Sequence, residues 1–333
     1  MKRFMIYLAP LAFILTSCEH KELCYHHPHT VGLRVEFDWR DAPQADPDGM
    51  CVYFYPADGG SGRRFDFTGT EGGDVEVGVG KYVVLCYNND TEAVEFYNTG
   101  DFRSHGVYTR EGSVLEPIYG NAANYAPRAM GSEEQRVVIC PEMMWGCTAM
   151  EVEVTDGGVS YTCLPMRGGE NAGQDDPQVI TLYPHELVCT YTYEVRNVTN
   201  LKHMVQMCGT ISGMAGSLTL ATEELDRESV TLPFEAWADG ESTVRGQFYT
   251  FGHHEENPDP HLMAFYVVMD DGAKYCYKDM DNLDVTVQVH DAPDRRHVHI
   301  IIDGLDLPQP IENGHGFDPS VDDWEVVESE IVV

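Results

Sequence analysis

The sequence predicts an all-β protein made of two tandem antiparallel β-sandwich domains. Many short stretches alternate apolar and polar residues with a period of two, which is the pattern of a half-buried strand. Turn-forming Gly, Pro, Asn and Asp residues separate these stretches at short intervals. Helical periodicity is confined to a few short segments, so we expect sheets packed on sheets rather than helices packed on a sheet.

The chain is strongly acidic, yet it contains enough apolar residues for a large core. Its 333 residues include 21 Lys and Arg against 55 Asp and Glu, which gives a formal charge of −34, and 43% of the residues are hydrophobic. Such a chain repels phosphate backbones, which argues against nucleic acid as a partner. Its charge also provides no attraction to an anionic membrane, so membrane attachment would need another device.

The N-terminal residues supply such a device. Two basic residues precede an apolar stretch that has the length of a signal-peptide core and is too short to span a membrane. The stretch ends in LTSC at 15–18, which resembles a bacterial lipobox, where the cysteine is acylated and the preceding peptide is removed. We therefore predict a lipoprotein signal peptide over 1–17, lipidation of Cys18 and a lipidated tether over 18–29. The alternative is a soluble secreted protein with a cysteine near its cleavage site.

The first sandwich is predicted over residues 30–182. Its clearest strand is 31–39, where apolar residues alternate with Gly, Arg, Glu and Asp. Gly80 separates the alternating valines of 74–79 from the strongly apolar 81–87, so these two strands are expected to form a hairpin. The remaining strands of this half are predicted at 50–55, 63–68 and 92–98.

The second sandwich is predicted over residues 183–333, with the boundary near residue 182. Its first strand places five apolar residues on one face, namely Leu187, Cys189, Tyr191, Tyr193 and Val195. The segment 201–208 is predicted as a short helix. Further strands are predicted at 217–220, 230–236, 245–252, 262–269, 274–278, 285–290 and 297–303.

Candidate chemistry is sparse. The histidines that are candidate metal ligands fall into three groups, His26, His27 and His29, then His253, His254 and His261, then His297 and His299. Histidines in loops are usually only solvated, and the last pair lies opposite the core-facing residues of its strand, so we predict no metal site. The sequence contains no nucleophile elbow, P-loop or dinucleotide fingerprint, so neither catalytic residues nor a cofactor are expected, and no binding residue is assigned.

The segments that carry a resemblance to a known family are CEHKELC at 18–24, HPH at 27–29, VEFDW at 35–39, MCVYFYP at 50–56, CYNNDTE at 86–92, PEMMWG at 141–146, ISGMAG at 211–216, HVHIIIDG at 297–304, GFD at 316–318 and DDW at 322–324. Through these segments, nearly the whole mature chain resembles the fimbrial lipoproteins of the Bacteroidetes, and within them an uncharacterised Bacteroides lipoprotein family related to fimbrial anchor and minor-subunit proteins.

This resemblance implies transthyretin-like sandwiches and a non-enzymatic role on the cell surface, in the outer membrane, in assembly of and adhesion by a fimbria. Its partners would be other fimbrial subunits, joined by strand addition, in which an extended segment of one subunit completes a sheet of the next. Polymerising subunits of such systems lose an N-terminal segment by cleavage after a basic residue, whereas an anchor subunit keeps its lipid.

The sequence favours the anchor or accessory role over the polymerising one. The candidate cleavage positions are Arg40, the pair Arg63–Arg64, which is predicted to begin a strand, and Arg128 late in the first half. None is a convincing early site. The C-terminal segment 324–333 is strand-like, and it is interpreted either as a donor strand or as the last strand of the second domain's own sheet.

A surface glycan-binding lipoprotein with β-sandwich domains is the alternative of a different class. It predicts exposed Trp and Tyr rings that stack on sugars. The chain has 18 Tyr and 4 Trp, but most of them fall in strand-core patterns.

Overall fold

The structure is a computed structural model that describes residues 29–120, 135–163, 178–309 and 324–327. It is nearly all β, which confirms the predicted all-β sandwich class, while the transthyretin-like detail stays a prediction. Neither α-helix in the described residues is long or apolar enough to cross a membrane. The helices are α1 (Glu116–Tyr119) and α2 (Thr286–His290), with 3-10 turns at Trp39–Asp41, Leu201–His203 and Asp281–Leu283.

The described residues of the first half contain twelve strands. They are β1 (Thr30–Phe37), β2 (Gly49–Pro56), β3 (Arg63–Thr68), β4 (Gly72–Gly78), β5 (Gly80–Asn88), β6 (Val94–Tyr97), β7 (Gly106–Thr109), β8 (Arg136–Val137), β9 (Trp145–Thr155), β10 (Gly158–Cys163), β11 (Val179–Leu182) and β12 (His185–Glu186).

The strands of the second half include the longest in the described residues. They are β13 (Cys189–Thr199), β14 (Met204–Ala215), β15 (Ser217–Thr219), β16 (Glu224–Leu225), β17 (Ser229–Glu235), β18 (Trp237–Ala238), β19 (Val244–Thr250), β20 (Met263–Met269), β21 (Lys274–Tyr277), β22 (His297–Asp306) and β23 (Glu325–Val327).

The first sandwich packs a small sheet onto a larger one. Sheet A has the strand order β11-β1-β4, and sheet B has the order β10-β9-β5-β2-β3. Apolar side chains from both sheets, among them Val35 and Val75 from sheet A and Val52 and Val84 from sheet B, form one buried core. The alternation predicted for the first strand is confirmed, because every second residue of β1 from Leu33 onward is buried in this core.

Sheet B is covered on its other face as well. Sheet C, with the order β16-β15-β7-β6, packs apolar residues such as Val107 and Leu218 against Tyr53, Tyr55 and Tyr87 of sheet B. Strand β2 is therefore buried on both faces, which explains why its sequence MCVYFYP is a continuous apolar run rather than an alternating one.

The second sandwich packs sheet D, with the order β18-β19-β13-β22, against sheet E, with the order β23-β21-β20-β14-β17-β8. Tyr191 and Tyr193 of β13 and Ile300 of β22 meet Phe234 and Phe265 of sheet E in the largest core cluster. The face predicted for 187–195 is confirmed, since all five of its apolar residues are buried.

Strands of the first half pair with strands of the second. β7 of the first half pairs with β15 of the second, and β8 of the first half pairs with β17 of the second. Val114 and Leu115, which precede α1, pack on the outer face of sheet E. The predicted domain boundary near residue 182 lies where β11, which pairs with β1 in sheet A, ends, and the next long strand, β13, pairs with β19 and β22 in sheet D. The exact position of the boundary stays a prediction.

The predicted hairpin of 74–79 and 81–87 is wrong. Both strands exist, but β4 pairs with β1 in sheet A, whereas β5 pairs with β2 and β9 in sheet B. The chain crosses from one sheet to the other at Val79, which is 45% exposed. A crossover between facing sheets and a hairpin turn have the same local sequence pattern, in which Gly separates two stretches of alternating apolar and polar residues.

Two further element assignments are corrected. The predicted strand at 285–290 is the helix α2, preceded by its N-cap Val285. Val285 and Val289 are buried, whereas Val287, which a strand would place on the same face, is 71% exposed. Residues four apart share a face in a helix as well as in a strand, so the sequence pattern did not separate the two. The predicted helix at 201–208 is a 3-10 turn followed by β14, because pairing with both β17 and β20 outweighs the local helical pattern.

Candidate functional site

The lipid-anchor prediction lies outside the described residues, because they begin at His29. From there the chain enters β1 directly, and β1 is the central strand of sheet A, antiparallel to β4 and parallel to β11. Leu33 and Val35 of β1 are buried in the first core. Loss of β1 would therefore open a groove between β4 and β11 and expose that core.

Arg40 is the candidate cleavage residue closest to this strand. It lies in the 3-10 turn after β1, its side chain is 63% exposed, and its guanidinium pairs with the Asp38 carboxylate at 2.5 Å. The hydrogen bond from Arg40 lowers the pKa of Asp38. The guanidinium also lies 4.9 Å from the centre of the Tyr183 ring, a cation–π contact that ties the turn to the residues after β11.

The other candidate cleavage residues are less suited to release of β1. Arg63 and Arg64 begin β3, as the sequence predicts, and backbone in a paired strand is a poor protease substrate. Arg64 is further held by Asp66 at 2.7 Å. Arg128 lies outside the described residues.

Two outer strands carry features that protect their edges. On β22, Gln288 of α2 mimics a neighbouring strand, since its side-chain amide donates to Ile301 O at 2.9 Å while its carbonyl accepts from Ile301 N at 2.8 Å. Asn282 similarly donates to the carbonyls of Asp303 and Gly304. The edge strand β3 instead carries charged side chains. Both devices discourage unplanned strand pairing.

The described part of the C-terminal segment belongs to the chain's own second sandwich. β23 runs parallel to β21 at the edge of sheet E. The Trp324 ring packs edge-on against Tyr266, with 5.6 Å between ring centroids. These described residues therefore belong to the second domain's own sheet, which is the second of the two interpretations of 324–333.

The aromatic residues do not line up as a glycan-stacking surface in the described parts of the chain. Trp237 on β18 is 47% exposed, but Trp39 and Trp145 are partly buried and pack against each other with centroids 6.5 Å apart. Most tyrosines of sheets B and D lie in cores, as the strand patterns indicate.

A buried histidine lies inside the aromatic cluster between sheets B and C. His105 is 0% exposed, and its Nδ1 lies 2.7 Å from the Tyr55 hydroxyl and its Nε2 3.2 Å from the Tyr87 hydroxyl. Because the Tyr55 hydroxyl donates to Thr99 O, it accepts from Nδ1–H, which leaves Nε2 to accept from Tyr87. Burial, with a smaller contribution from the Arg64 charge, lowers the pKa of His105 to about 4.

Three histidines from two separate segments meet in the second half. His253 and His261 lie in the loop between β19 and β20, and His290 ends α2. The ring centroids lie 5.0 Å apart for His253 and His261, 4.9 Å for His253 and His290, and 5.1 Å for His261 and His290. One ring nitrogen of each residue lies within 4.8 Å of those of the other two. We call this group the histidine cluster.

The two more buried members of the histidine cluster, His253 and His261, are uncharged at neutral pH. Burial, together with smaller repulsive effects from His261 and His290, lowers the pKa of His253 to about 4. Burial also lowers the pKa of His261, against the opposing effect of its hydrogen bond to the Ser212 carbonyl. Each neutral imidazole keeps one nitrogen lone pair.

The sequence grouped these histidines incompletely. It placed His254 beside His253 and His261, but the His254 Nδ1 accepts from the Glu256 backbone N–H instead. It missed His290, which is 29 residues from His261 and approaches it only through the folding of α2 onto the loop. No local signal identifies such a contact.

The other histidine groups form no such cluster within the described residues. His297 and His299 lie on the exposed face of β22, as predicted. His297 lies between carboxylates of Glu186 and Asp294, at 3.2 and 3.1 Å. His26 and His27 lie outside the described residues.

Comparison with known proteins finds relatives described as fimbrial proteins and as adhesins. The chain is 30% identical over 107 residues to "Putative fimbrium anchoring subunit Fim4B" of Bacteroides ovatus, a match that spans 32% of this chain and only 31% of that relative. A solved structure of "a putative adhesin" from Bacteroides ovatus is 18% identical, with a TM-score of 0.53, and covers 95% of this chain and 99% of its own. The fimbrial anchor protein Mfa2 from Porphyromonas gingivalis is 14% identical, with a TM-score of 0.42, over 83% of this chain and 90% of its own.

The adhesin structure shows that the chain shares its fold, and the expected resemblance to Bacteroidetes fimbrial proteins is confirmed. Residues 17–235 match the model of a family described as "Domain of unknown function (DUF5119)", which covers more than half of the chain. The protein belongs to the DUF5119 family.

Proposed function

We propose that the protein is a non-enzymatic cell-surface lipoprotein that acts as an anchor or accessory subunit of a fimbria. Lipid at Cys18 would hold it in the outer membrane, and other subunits would join it by adding a strand to one of its sheets. The chain's similarity to a fimbrium anchoring subunit over about a third of that relative supports this role.

The observation that carries the proposal is the place of β1 in sheet A. The proposed lipid attachment precedes this strand, so the anchor would be continuous with a core element rather than with a loose arm. Leu33, Val35 and Phe37 are buried, and burial of such side chains stabilises a protein by roughly 1.5–3 kcal/mol each. Shedding β1 would forfeit this burial, which favours a subunit that keeps its first strand and its lipid.

The lipid anchor is tested by replacing the acylated cysteine in the native host. We expect Cys18→Ala to abolish labelling by a fatty-acid probe and to release both the protein and its associated fimbriae into the medium. Cys24→Ala is the matched control, because it removes a nearby cysteine and leaves the lipobox intact. Fimbriae that stay cell-bound and unchanged with Cys18→Ala would contradict the anchor role.

The anchor and polymerising roles differ in whether the chain is cleaved after Arg40. We expect mass spectrometry of the protein taken from outer membranes to find residues 18–40 still attached to the remainder. We also expect Arg40→Ala to leave the number and length of fimbriae unchanged. A mature N-terminus at Asp41, or loss of fimbriae with Arg40→Ala, would instead indicate a polymerising subunit.

A further inference from the structure

We propose that His253, His261 and His290 form a binding site for a late first-row divalent metal ion, with Zn²⁺ as the expected occupant. This site is independent of the proposed fimbrial role. It also departs from the sequence-based expectation of no metal, because that expectation could not include His290.

The geometry of the histidine cluster suits a tetrahedral ion. At a Zn–N distance of 2.0–2.1 Å, two nitrogen ligands of such an ion are about 3.3–3.4 Å apart. The Nε2 atoms of His261 and His290 are hydrogen-bonded at 3.2 Å, close to that separation, and a metal ion would replace the shared proton once His290 carries its proton on Nδ1 instead. One His253 ring nitrogen lies within 4.8 Å of a ring nitrogen of each of the other two. The His253 ring is stacked on that of His290 with an interplanar angle of 5°, so His253 must rotate about its side-chain torsions to direct a lone pair at the same ion.

A second layer of contacts orients His261 for this task. Its Nδ1 lies 3.1 Å from the Ser212 carbonyl, which can only accept, so Nδ1 carries the proton and Nε2 keeps its lone pair. The adjacent Gly213 has φ +78°, and a Cβ there would lie 2.8 Å from His261 Nδ1. Glycine therefore permits the close approach that fixes the ring.

The backbone that carries the ligands is held together without the histidine side chains. The His261 backbone N–H donates to Thr286 Oγ1 at 2.9 Å, and the Val285 N–H donates to His261 O at 3.0 Å. An isolated bridge pairs Leu262 with Asp284. Because loop and helix are already joined, metal binding would order only side chains, which lowers its entropic cost.

The donor set selects the class of metal. Three imidazole nitrogens suit Zn²⁺ and its neighbours, whereas Ca²⁺ and Mg²⁺ require oxygen ligands. His290 is exposed, so the fourth position faces solvent and is open to water or to a donor from another molecule. The bound ion would fasten the β19–β20 loop to α2.

The test is titration of Zn²⁺ into the metal-free mature chain, purified without a polyhistidine tag. We expect one saturable equivalent in the wild-type protein by isothermal titration calorimetry, and at least tenfold weaker binding in His290→Gln and His253→Gln. His254→Gln is the matched control, because it removes a neighbouring loop histidine outside the cluster, and it should bind as the wild type does.

Two readouts separate this site from the tether histidines and from misfolding. Zn²⁺ should raise the melting temperature of the wild-type protein and of His254→Gln but not that of His290→Gln, while the metal-free melting temperatures agree. Co²⁺ should give the intense visible spectrum of a tetrahedral site in the wild type. Equal Zn²⁺ affinity in all four proteins, or no saturable binding in the wild type, would overturn the proposal.

Discussion

Removal of the ionisable group at His105 should flatten the pH dependence of stability on the acid side. The folded protein holds this imidazole neutral between two tyrosine hydroxyls, and its pKa falls from 6.5 to about 4. The unfolded chain binds a proton at the ordinary pKa, so between these values it binds more protons than the folded chain. The free energy of unfolding must therefore fall as the pH drops below about 6.5 and level off near the folded pKa.

The magnitude follows from the size of the shift. Each unit of pKa difference corresponds to about 1.4 kcal/mol, so the full shift at His105 is worth about 3 kcal/mol. Most of this, about 2 kcal/mol, should be lost between about pH 7 and about pH 4.5. The side chain is fully buried, so solvent screening does not reduce this value.

The assay is urea unfolding of the wild-type protein and of His105→Gln at both pH values. Carboxylates and the remaining histidines titrate equally in the two proteins, so they cancel when the two pH-dependent losses are subtracted. We expect the wild type to lose about 2 kcal/mol more than the variant. Equal losses would refute the argument, whatever the stability of the variant at pH 7.

Three further substitutions, one of them with a matched control, test the fold. Ile300→Ala in the second core, where the side chain is 0% exposed, should lower the free energy of unfolding by about 2–5 kcal/mol in urea titrations. Gly72→Ala places a Cβ 2.1 Å from Val35 O at a φ of +90°, so the urea midpoint of this variant should fall. Gly32→Ala is its control, because a Cβ there has nothing within 4 Å and the midpoint should change little. A fall in the midpoint of both variants would contradict the steric argument. Gln288→Ala should cost roughly 1–3 kcal/mol, from two lost hydrogen bonds to the β22 edge, and should increase self-association in light scattering; unchanged scattering would show that the edge needs no cover.

Strand prediction succeeded where one face of a strand is buried and the other is solvated. β1 and β22 satisfy this condition, and their alternation translates directly into alternating burial. The neighbour of each strand could not be predicted from the same signal. Val75 and Val77 face the core that β1 also faces, while the next strand joins the opposite sheet, and residue periodicity carries no information about that choice.

The histidine cluster shows why its candidate site was only partly predictable. The sequence places His253 and His261 near one another, but His290 lies in a segment whose valines fit a strand equally well. Had that segment been a strand, its successive side chains would point to opposite faces. The helix α2 and the Leu262–Asp284 bridge set the position of His290, and both depend on tertiary packing.

The pairing of strands between the two halves affects the order in which the chain can fold. β7 gains its second neighbour only when Ser217 and the residues after it have arrived, and β8 waits likewise for β17. A chain that emerges from its N-terminus first cannot complete one half before starting the other, so long-range closure must precede the final packing. Until β15 and β16 have been made, the apolar face of sheet B has only β6 and β7 of sheet C to cover it, so part of that face stays exposed to solvent while the second half is synthesised.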